Sequence, residues 1–287
     1  MSARVPADAA TALTDAQLLA GVVRDRMGLK PDLSTPKIEA LLHAVAADGR
    51  RAVCRELLAS DPGDATWRAF AEALLVHETY FFRHPDQLRL LADVVLPRLV
   101  QDRIDAGSRE LRVWCAGCAS GEEVYTLALL VQAALAARAP AWNVTILGTD
   151  LSAQSLALAR AGTYTLAAGL NSFRDVPPFA RHHFTAILSA AATTWSASAE
   201  LRRLTRFAQH NLAIDPPPLR DVDLVVCRNT LIYFDEPHAR AAINSLADAL
   251  RPAGALLLGP AETASAATTL RMVCTEQTVH WMKQASP

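Results

Sequence analysis

Several features that mark other classes of protein are missing from this sequence. No run of apolar residues is long enough to cross a membrane, and no basic-then-apolar pattern near the first residue predicts a secretory signal. The 5 cysteines, an odd number in a chain of 287 residues, do not predict a framework of disulfides. The net charge of −1 gives no general reason to expect nucleic acid as a partner. We therefore expect a protein of the reducing cytoplasm, with neither membrane insertion nor nucleic-acid binding.

The composition supports a complete hydrophobic core. Apolar residues make up 51% of the chain and charged residues 20%, so disorder is not expected. The length allows a small domain followed by a large one, and the pattern changes near residues 61–65. Before this point, residues 13–28 and 35–49 carry apolar side chains at helical spacing. We predict a helical N-terminal domain over residues 1–65 and a second domain over residues 66–287.

From residue 111 onward, strand-like segments alternate with helical patterns. The strand-like segments are residues 111–117, 143–150, 204–211, 222–229 and 254–260. The helical patterns cover residues 126–137, 153–161 and 236–250. This alternation predicts an α/β fold, with a parallel sheet covered by helices on both faces. Residues 271–283 predict a late strand or hairpin at an antiparallel edge. Residues 163–204 do not fit a simple crossover and predict an inserted subdomain.

The most informative stretch is Arg112–Leu129, which joins an apolar strand to a glycine turn and then to a helical pattern. A strand that ends in such a turn brings backbone N–H groups close to a ligand. The acidic pair Glu122–Glu123 argues against a phosphate ligand at this helix start. A carboxylate in that position suits a cationic ligand or sugar hydroxyls, and S-adenosylmethionine offers both.

Cys115 and Cys118 form a Cys-x-x-Cys pair, which is compatible with a redox or zinc site. A zinc site needs further ligands at suitable spacing, and none accompany this pair in the sequence. We therefore expect two small residues in a tight ligand-binding turn, and no metal.

Polar residues follow two other predicted strands. Asp150 ends the second strand, where an acidic residue of a nucleotide-binding sheet accepts hydrogen bonds from ribose hydroxyls. The alternative for Asp150 is the N-cap of the following helix. Arg228 and Asn229 follow the fourth apolar strand, and burying them requires partners. Because ligands sit at the C-terminal ends of parallel strands, we expect these residues and Tyr233 beside a ligand.

The segment HETYFFR, His77–Arg83, stands before the predicted sheet. Its aromatic side chains are compatible with packing between domains, which is the alternative to a functional role. Packing alone does not explain Thr79 and Arg83, so the segment is a candidate for the site.

Five motifs together carry a resemblance to a known family. HETYFFR, CAGCASGEEVYTLAL, GTDLS, CRNTLIYF and GPAET occur in the order and approximate spacing of the chemotaxis-receptor glutamate O-methyltransferases of the CheR type, over residues 66–283. The resemblance implies a Rossmann-like S-adenosylmethionine-dependent methyltransferase sheet, with a small β-subdomain inserted at residues 163–204 and a small all-helical N-terminal domain. It also implies methyl transfer to glutamate side chains in the cytoplasmic helices of a chemoreceptor, with S-adenosyl-L-homocysteine as product.

The resemblance also implies roles residue by residue. The implied cofactor-binding residues are His77, Thr79, Arg83, Gly117, Glu123, Asp150, Asn211, Leu212, Arg228 and Asn229. Within this set, Asp150 holds the ribose, and Asn211 and Leu212 lie beside the adenine. Arg83 and Tyr233 are the implied catalytic residues: Arg83 orients the acceptor carboxylate, and Tyr233 reaches the methyl-transfer site.

The chain departs from the family pattern in several places. His77 stands where the family usually has Asn, and Pro260–Ala261 replace a His–Ser pair. Residues 37–51 correspond to a helix that is strongly basic in many members and docks an acidic receptor, but they include only 3 cations. Two alternatives therefore stay open: a methyltransferase of the same fold with another protein or small-molecule acceptor, and a catalytically silent cofactor-binding scaffold. We expect a monomer, and the sequence does not identify the receptor.

Some members of the family bind a receptor's C-terminal peptide through a glycine-containing loop of the β-subdomain. The corresponding loop here, Ser189–Ala197, has no glycine, and without glycine a loop cannot easily bring its backbone close to an added strand. We therefore expect little or no binding when the isolated protein is titrated with receptor tail peptides. Low-micromolar affinity located at residues 185–206 would contradict this prediction.

Overall fold

The computed structural model contains two compact units, residues 1–74 and residues 75–287. It describes residues 14–45, 47–136, 141–165, 172–173, 176–188, 193–265, 267–275 and 278–284. The first unit contains helices α1 (Asp15–Met27), α2 (Pro31–His43), α3 (Ala47–Ala59) and α4 (Ala65–Leu74). Because α4 belongs to the first unit, the chain divides after Leu74, whereas the sequence pattern places the division near residue 65.

Local sequence sets the ends of helix α1. The Thr14 side chain accepts a hydrogen bond from the Gln17 N–H at 3.3 Å, and the Gln17 side chain accepts one from the Thr14 N–H at 2.8 Å. At the other end, Gly28 has a φ of 71°, and its N–H donates to the Arg24 carbonyl at 2.7 Å. These two caps satisfy backbone groups that helix ends otherwise leave unpaired.

The second unit is an α/β fold. Its strands are, in chain order, β1 (Glu110–Ala116), β2 (Asn143–Asp150), β3 (Thr163–Thr165), β4 (Phe184–Leu188), β5 (Thr193–Ala197), β6 (Thr205–Gln209), β7 (Val222–Cys227), β8 (Leu250–Leu258), β9 (Leu270–Cys274) and β10 (Val279–Lys283). Its helices are α5 (Pro85–Leu90), α6 (Leu96–Asp105), α7 (Glu122–Leu135), α8 (Ala153–Ala161), α9 (Pro178–Arg181), α10 (Ala199–Leu204) and α11 (Glu236–Ala249). A π-helical turn, Leu91–Val95, joins α5 to α6, and a 3₁₀ turn, Leu231–Tyr233, precedes α11. Within the described residues, no helix is long and apolar enough to cross a membrane.

One sheet has the strand order β6–β2–β1–β7–β8–β10–β9. The strands from β6 to β8 in this order are parallel, and β10 pairs antiparallel with both β8 and β9. The predicted parallel sheet and the predicted hairpin at an antiparallel edge are therefore confirmed. The strand order reverses at β1, because the chain first adds β2 and β6 on one side and then β7 and β8 on the other. Such a reversal leaves a ligand-binding crevice at the C-terminal ends of the strands.

A smaller antiparallel sheet, ordered β3–β5–β4, forms the predicted inserted subdomain. Its core is aromatic, and the fully buried Phe81 is part of it. The ring centre of Phe81 lies 5.0 Å from those of Tyr164 and Phe184 and 4.7 Å from that of Phe173. An aromatic residue of the segment His77–Arg83 therefore packs against the insert, within the second unit. Loop residues 189–192, which bear on tail-peptide binding, lie outside the described residues.

Helix α7 begins at Glu122, where the acidic pair after the glycine turn predicts a helix start, and earlier than the apolar pattern from residue 126 alone indicates. Gly121 precedes it with a φ of 94°, and every residue from Glu122 to Val131 is buried. A helix that is buried all round has no polar face, so the apolar period does not reveal its first turn.

A buried carboxylate ties the N-terminal end of β7 to its neighbours. Asp223 is fully buried. Its Oδ1 accepts hydrogen bonds from the Arg103 Nε at 2.7 Å and from the Arg251 Nε at 2.5 Å. Its Oδ2 accepts the Arg112 backbone N–H at 2.9 Å. One carboxylate therefore joins α6, β1 and β8 to β7.

Replacing Asp223 with Asn should lower the free energy of unfolding by about 3 kcal/mol, because two largely buried guanidinium groups lose the anion that they share. Chemical denaturation of the purified protein measures the change. The matched control is Asp25→Asn, which alters an exposed acid paired with Arg24 and should change stability little. A loss below about 1 kcal/mol for Asp223→Asn would contradict the prediction.

Candidate active site

The predicted site residues converge on the C-terminal edge of the sheet. These residues are the glycine turn 117–121 after β1, Asp150 at the end of β2, Asn211 and Leu212 after β6, and Arg228 and Asn229 after β7. The ends of β2 and β6 lie side by side, with Asp150 opposite Gln209 in the register. The segment His77–Arg83 reaches the same edge, since the Arg83 carbonyl accepts a hydrogen bond from Arg228 at 2.8 Å.

The turn after β1 folds back onto β2 and is packed by the loop after β7. The N–H groups of Gly117 and Cys118 both donate to the Thr149 carbonyl, at 2.8 and 2.9 Å. Gly117 has a φ of +74°, and a Cβ atom there would overlap the Thr230 Oγ1 and lie 2.8 Å from the Thr230 Cγ2. Only glycine combines this left-handed backbone with such a close approach.

The Asp150 carboxylate links this turn to the loop after β2. Its Oδ2 accepts the Ala119 N–H at 2.8 Å, and its Oδ1 accepts the Ser152 N–H at 2.9 Å. The N-cap of α8 is Ser152, whose Oγ accepts the Ser155 N–H at 2.9 Å. The N-cap alternative for Asp150 is therefore wrong, and the carboxylate lies at the crevice between β1 and β2.

The two acids at the start of α7 have different partners. The buried Glu122 accepts hydrogen bonds from the Ser120 hydroxyl at 2.7 Å and from the Ser172 hydroxyl at 2.9 Å. Burial raises the pKa of Glu122, and these hydrogen bonds oppose the increase. Glu122 therefore joins the glycine turn to the chain of the insert, whereas Glu123 faces Arg228.

Arg228 is the centre of a buried polar network. Its Nε pairs with the Glu123 carboxylate, and its Nη1 donates to the Arg83 carbonyl at 2.8 Å and to the Gln87 Oε1 at 3.1 Å. The Gln87 amide in turn donates to the Leu258 carbonyl at 2.8 Å. Arg228 and Glu123, both predicted at the cofactor, therefore bind each other. Gln87 was not predicted from the sequence, because nothing in its own segment indicates a partner 141 residues away.

Arg83 and Tyr233, the two predicted catalytic residues, lie close enough to interact electrostatically. Burial raises the pKa of the Tyr233 phenol, and the Arg83 cation opposes that increase. The phenol therefore stays protonated near neutral pH and can donate a hydrogen bond. The Arg83 guanidinium donates to the Glu78 carbonyl at 3.0 Å and lies 5.7 Å from the centre of the Tyr80 ring.

His77 and Thr79 are the other predicted site residues of the segment His77–Arg83. His77 is exposed, and its Nδ1 lies 2.9 Å from the Ser155 Oγ near the start of α8. Thr79 is half-buried. The structure thus places His77 against the helix that follows Asp150, on the β2 side of the crevice.

Residues with a left-handed backbone conformation lie in both chain segments next to Arg228. Phe82 and His84 have a φ of 59°, and Asn229 has a φ of 57°. The His84 Nε2 lies 3.2 Å from the Asn229 Oδ1, which joins the two segments. Burial and then the Arg228 cation lower the pKa of His84, so this imidazole is neutral at neutral pH. Such conformations are uncommon for residues with a Cβ and concentrate at functional sites.

The predicted adenine-side residues form a short turn beside Asp150. The His210 N–H donates to the Asp150 carbonyl at 3.0 Å. The next N–H, of Asn211, donates to the Asp215 carboxylate at 2.7 Å, and Leu212 is buried. The turn therefore offers a fixed apolar contact next to the carboxylate.

The Cys-x-x-Cys pair lies beneath the crevice as buried thiols. Burial, with a contribution from nearby carboxylates, raises the pKa of Cys115 and of Cys118 well above the ordinary value. The Cys115 thiol lies 3.6 Å from the Glu123 carboxylate as a donor. Protonated, buried thiols are poor nucleophiles and poor metal ligands. Among the residues that the structure describes, no cluster of His, Cys, Asp or Glu could hold a metal ion.

The crevice meets the needs of a nucleotide-like cofactor. The glycine turn allows close backbone approach, and Asp150 can accept hydrogen bonds from hydroxyls, while the ion pair of Glu123 with Arg228 holds the strand ends. These are the groups that S-adenosylmethionine requires. Fold and site together define the class: a Rossmann-like S-adenosylmethionine-dependent methyltransferase domain.

A known protein family matches more than half of the chain. The family described as CheR methyltransferase, SAM binding domain, matches residues 77–280. The chain belongs to this family, and its cofactor is S-adenosyl-L-methionine.

Relatives differ in how much of their length the chain covers. An uncharacterized 104.1 kDa protein of Rhodobacter capsulatus is 40% identical over 66% of this chain and 19% of its own length. The probable biofilm formation methyltransferase WspC of Pseudomonas aeruginosa is 37% identical over 71% of this chain and 46% of its own length. A probable chemotaxis protein methyltransferase of Rhizobium etli is 32% identical over 82% of this chain and 85% of its own length. The chain therefore spans less than half of the first two relatives.

Replacing Gly117 with Ala should weaken S-adenosylmethionine binding at least tenfold, since the new methyl group would push the Thr230 loop away from the crevice. Gly107 is the matched control, because it has a similar φ of +69° but nothing within 4 Å of an added Cβ. Gly107→Ala should cost stability through backbone strain and leave cofactor affinity unchanged. Calorimetric titration of both variants decides the matter, and equal affinities in the two would contradict the prediction.

Proposed function

We propose that the protein transfers methyl groups from S-adenosyl-L-methionine to glutamate side chains of a chemoreceptor or a chemoreceptor-like signalling protein. The products are glutamate methyl esters, which serve sensory adaptation, and S-adenosyl-L-homocysteine. The observation that supports the proposal most is the family match over residues 77–280, a range that includes both Arg83 and Tyr233. This pair suits an anionic acceptor better than a neutral one.

The chemistry asks the protein for position more than for acid or base catalysis. When bound, the cofactor supplies a methyl group activated by its sulfonium. A glutamate side chain is ionised at neutral pH, so no strong general base is required. Arg83 pairs with one carboxylate oxygen, and Tyr233 donates a hydrogen bond to the acceptor. Both contacts restrict its orientation, and positioning of this sort can supply several kcal/mol.

The binding strength of these two groups has to be limited. A carboxylate held too tightly would be stabilised before the reaction more than during it, which slows transfer. Arg83 is only half-buried and shares its guanidinium with the Glu78 carbonyl and the Tyr80 ring. Solvent and these partners moderate its attraction for the acceptor.

The remaining assignments follow the same crevice. Asp150 accepts hydrogen bonds from the ribose, and Asn211 and Leu212 lie beside the adenine. His77, Thr79, Gly117, Glu123, Arg228 and Asn229 complete the cofactor site. Glu123 and Arg228 fix the strand ends around the cofactor as well, through their mutual ion pair.

The proposed partner is the helical cytoplasmic region of a receptor, so the protein acts in the cytoplasm. We expect it to act as a monomer. The relative from Rhizobium etli, named as a probable chemotaxis protein methyltransferase, supports this acceptor. A receptor that controls biofilm formation is the second candidate, because the relative from Pseudomonas aeruginosa is named as a probable biofilm formation methyltransferase.

The proposal is tested by incubating the protein with methyl-labelled donor and cytoplasmic fragments of candidate receptors. We expect label in the receptor fragment that is released by mild base, as a glutamate ester requires. Label that resists base would exclude the ester, and transfer only to unrelated acceptors would exclude the receptor.

Arg83→Ala should lower turnover about 30-fold or more, the scale of one charge-assisted contact, while cofactor affinity stays within about threefold. Arg89→Ala is the control, because Arg89 is exposed and pairs with Asp86 on the same helix. Steady-state kinetics and calorimetry are compared for both variants. Wild-type turnover in Arg83→Ala, or an equal effect of Arg89→Ala, would remove Arg83 from the reacting centre.

A further inference from the structure

The Glu262 carboxylate accepts hydrogen bonds from four backbone N–H groups. Its Oε1 accepts the N–H groups of Thr230 at 2.8 Å and Ile232 at 3.2 Å. Its Oε2 accepts those of Asn229 at 2.9 Å and Gly259 at 2.7 Å. Successive N–H groups that converge in this way form a site for an anion, and here the protein's own side chain fills it.

The chain is shaped around this carboxylate. A Cβ atom on Gly259 would lie 2.7 Å from the Glu262 Oε2 and 2.8 Å from the Asn229 N. The Glu262 N–H donates to the Gly259 carbonyl at 3.0 Å, which closes the turn. Gly259 thus leaves the space that the carboxylate needs in order to reach the loop after β7.

That loop forms one wall of the cofactor crevice and leads to the acceptor side. Asn229 has a φ of 57°, a conformation that is unfavourable for a residue with a Cβ unless its surroundings hold it. The next residue, Thr230, packs against Gly117, and the 3₁₀ turn that follows ends at Tyr233. Glu262 therefore binds three backbone N–H groups of the stretch that runs from the cofactor wall to the catalytic phenol.

We propose that Glu262 is a positioning residue for methyl transfer, which acts by fixing the loop Asn229–Ile232 and through it the Tyr233 hydroxyl. This inference rests on the proposed function, since it assigns Glu262 to the same site. The carboxylate is required for its charge and for its two acceptor oxygens. A glutamine has nearly the same shape, but its NH₂ group would face two N–H donors and repel them.

The experiment compares Glu262→Gln with the wild type in three measurements. Amide hydrogen exchange at Asn229, Thr230 and Ile232 should become about tenfold faster or more, while exchange in β1 stays unchanged. The kcat for the acceptor should fall about 10- to 100-fold, and acceptor KM and cofactor Kd should stay within about threefold. In a Tyr233→Phe background the same substitution should cost less than about threefold in kcat, because Glu262 acts through that hydroxyl.

Two further variants keep the test independent of folding defects. Asp223→Asn removes a buried carboxylate at the opposite end of β7; under conditions where it is folded, kcat should be that of the wild type. Gly259→Ala displaces the Glu262 carboxylate without changing charge. If Glu262→Gln does not fold, Gly259→Ala takes its place and should show the faster loop exchange and the fall in kcat expected for Glu262→Gln.

Each outcome is decisive. Unchanged exchange in the loop overturns the inference, and so does faster exchange with wild-type kcat. A loss of kcat that is equally large in the Tyr233→Phe background, or that Asp223→Asn reproduces, shows a general structural effect and also overturns it. If the wild type methylates no acceptor, the proposed function fails, and the exchange rates then decide whether Glu262 holds the loop.

Discussion

The arrangement of the crevice depends on one buried cation. Arg228 is 5% exposed, and its guanidinium binds Glu123, the Arg83 carbonyl and the Gln87 side chain. Taking a charge out of water costs several kcal/mol, and only a full set of partners offsets that cost. The partners come from the start of α7, from the segment before α5 and from α5 itself. The cation can therefore be buried only when all of these elements are in place, which makes the crevice a cooperative unit.

Buried charges at the two ends of β7 also fix the register of that strand. Asp223 near its beginning binds guanidinium groups of α6 and β8, and Arg228 just after its end binds α7 and α5. The residues between them are all buried and apolar. A slip of one residue would turn every side chain to the other face and break both charge clusters at once. The sheet thus supports the site with a defined strand position, in addition to its hydrophobic packing.

Much of the fold was predictable, because strands buried on both faces carry continuous apolar runs and the helices between them have their own period. The position of Asp150 at the end of β2 follows from the same pattern. The roles of Gln87 and Glu262 were not predictable, because each acts on the loop after β7 from a distant part of the sequence, 141 and 33 residues from its partner. Local spacing carries no sign of such pairs. The start of α7 was indicated by the glycine turn and the acidic pair Glu122–Glu123 rather than by the apolar pattern, because burial of the first turns on all sides leaves no polar face.

The packing of Phe81 within the inserted subdomain has a consequence for the history of the protein. Its ring contacts Tyr164, Phe173 and Phe184, while its chain neighbours Phe82 and Arg83 belong to the crevice. An exchange of the whole insert between relatives would remove the partners of Phe81 and disturb the segment that presents Arg83. The insert and this segment are therefore expected to change together during evolution.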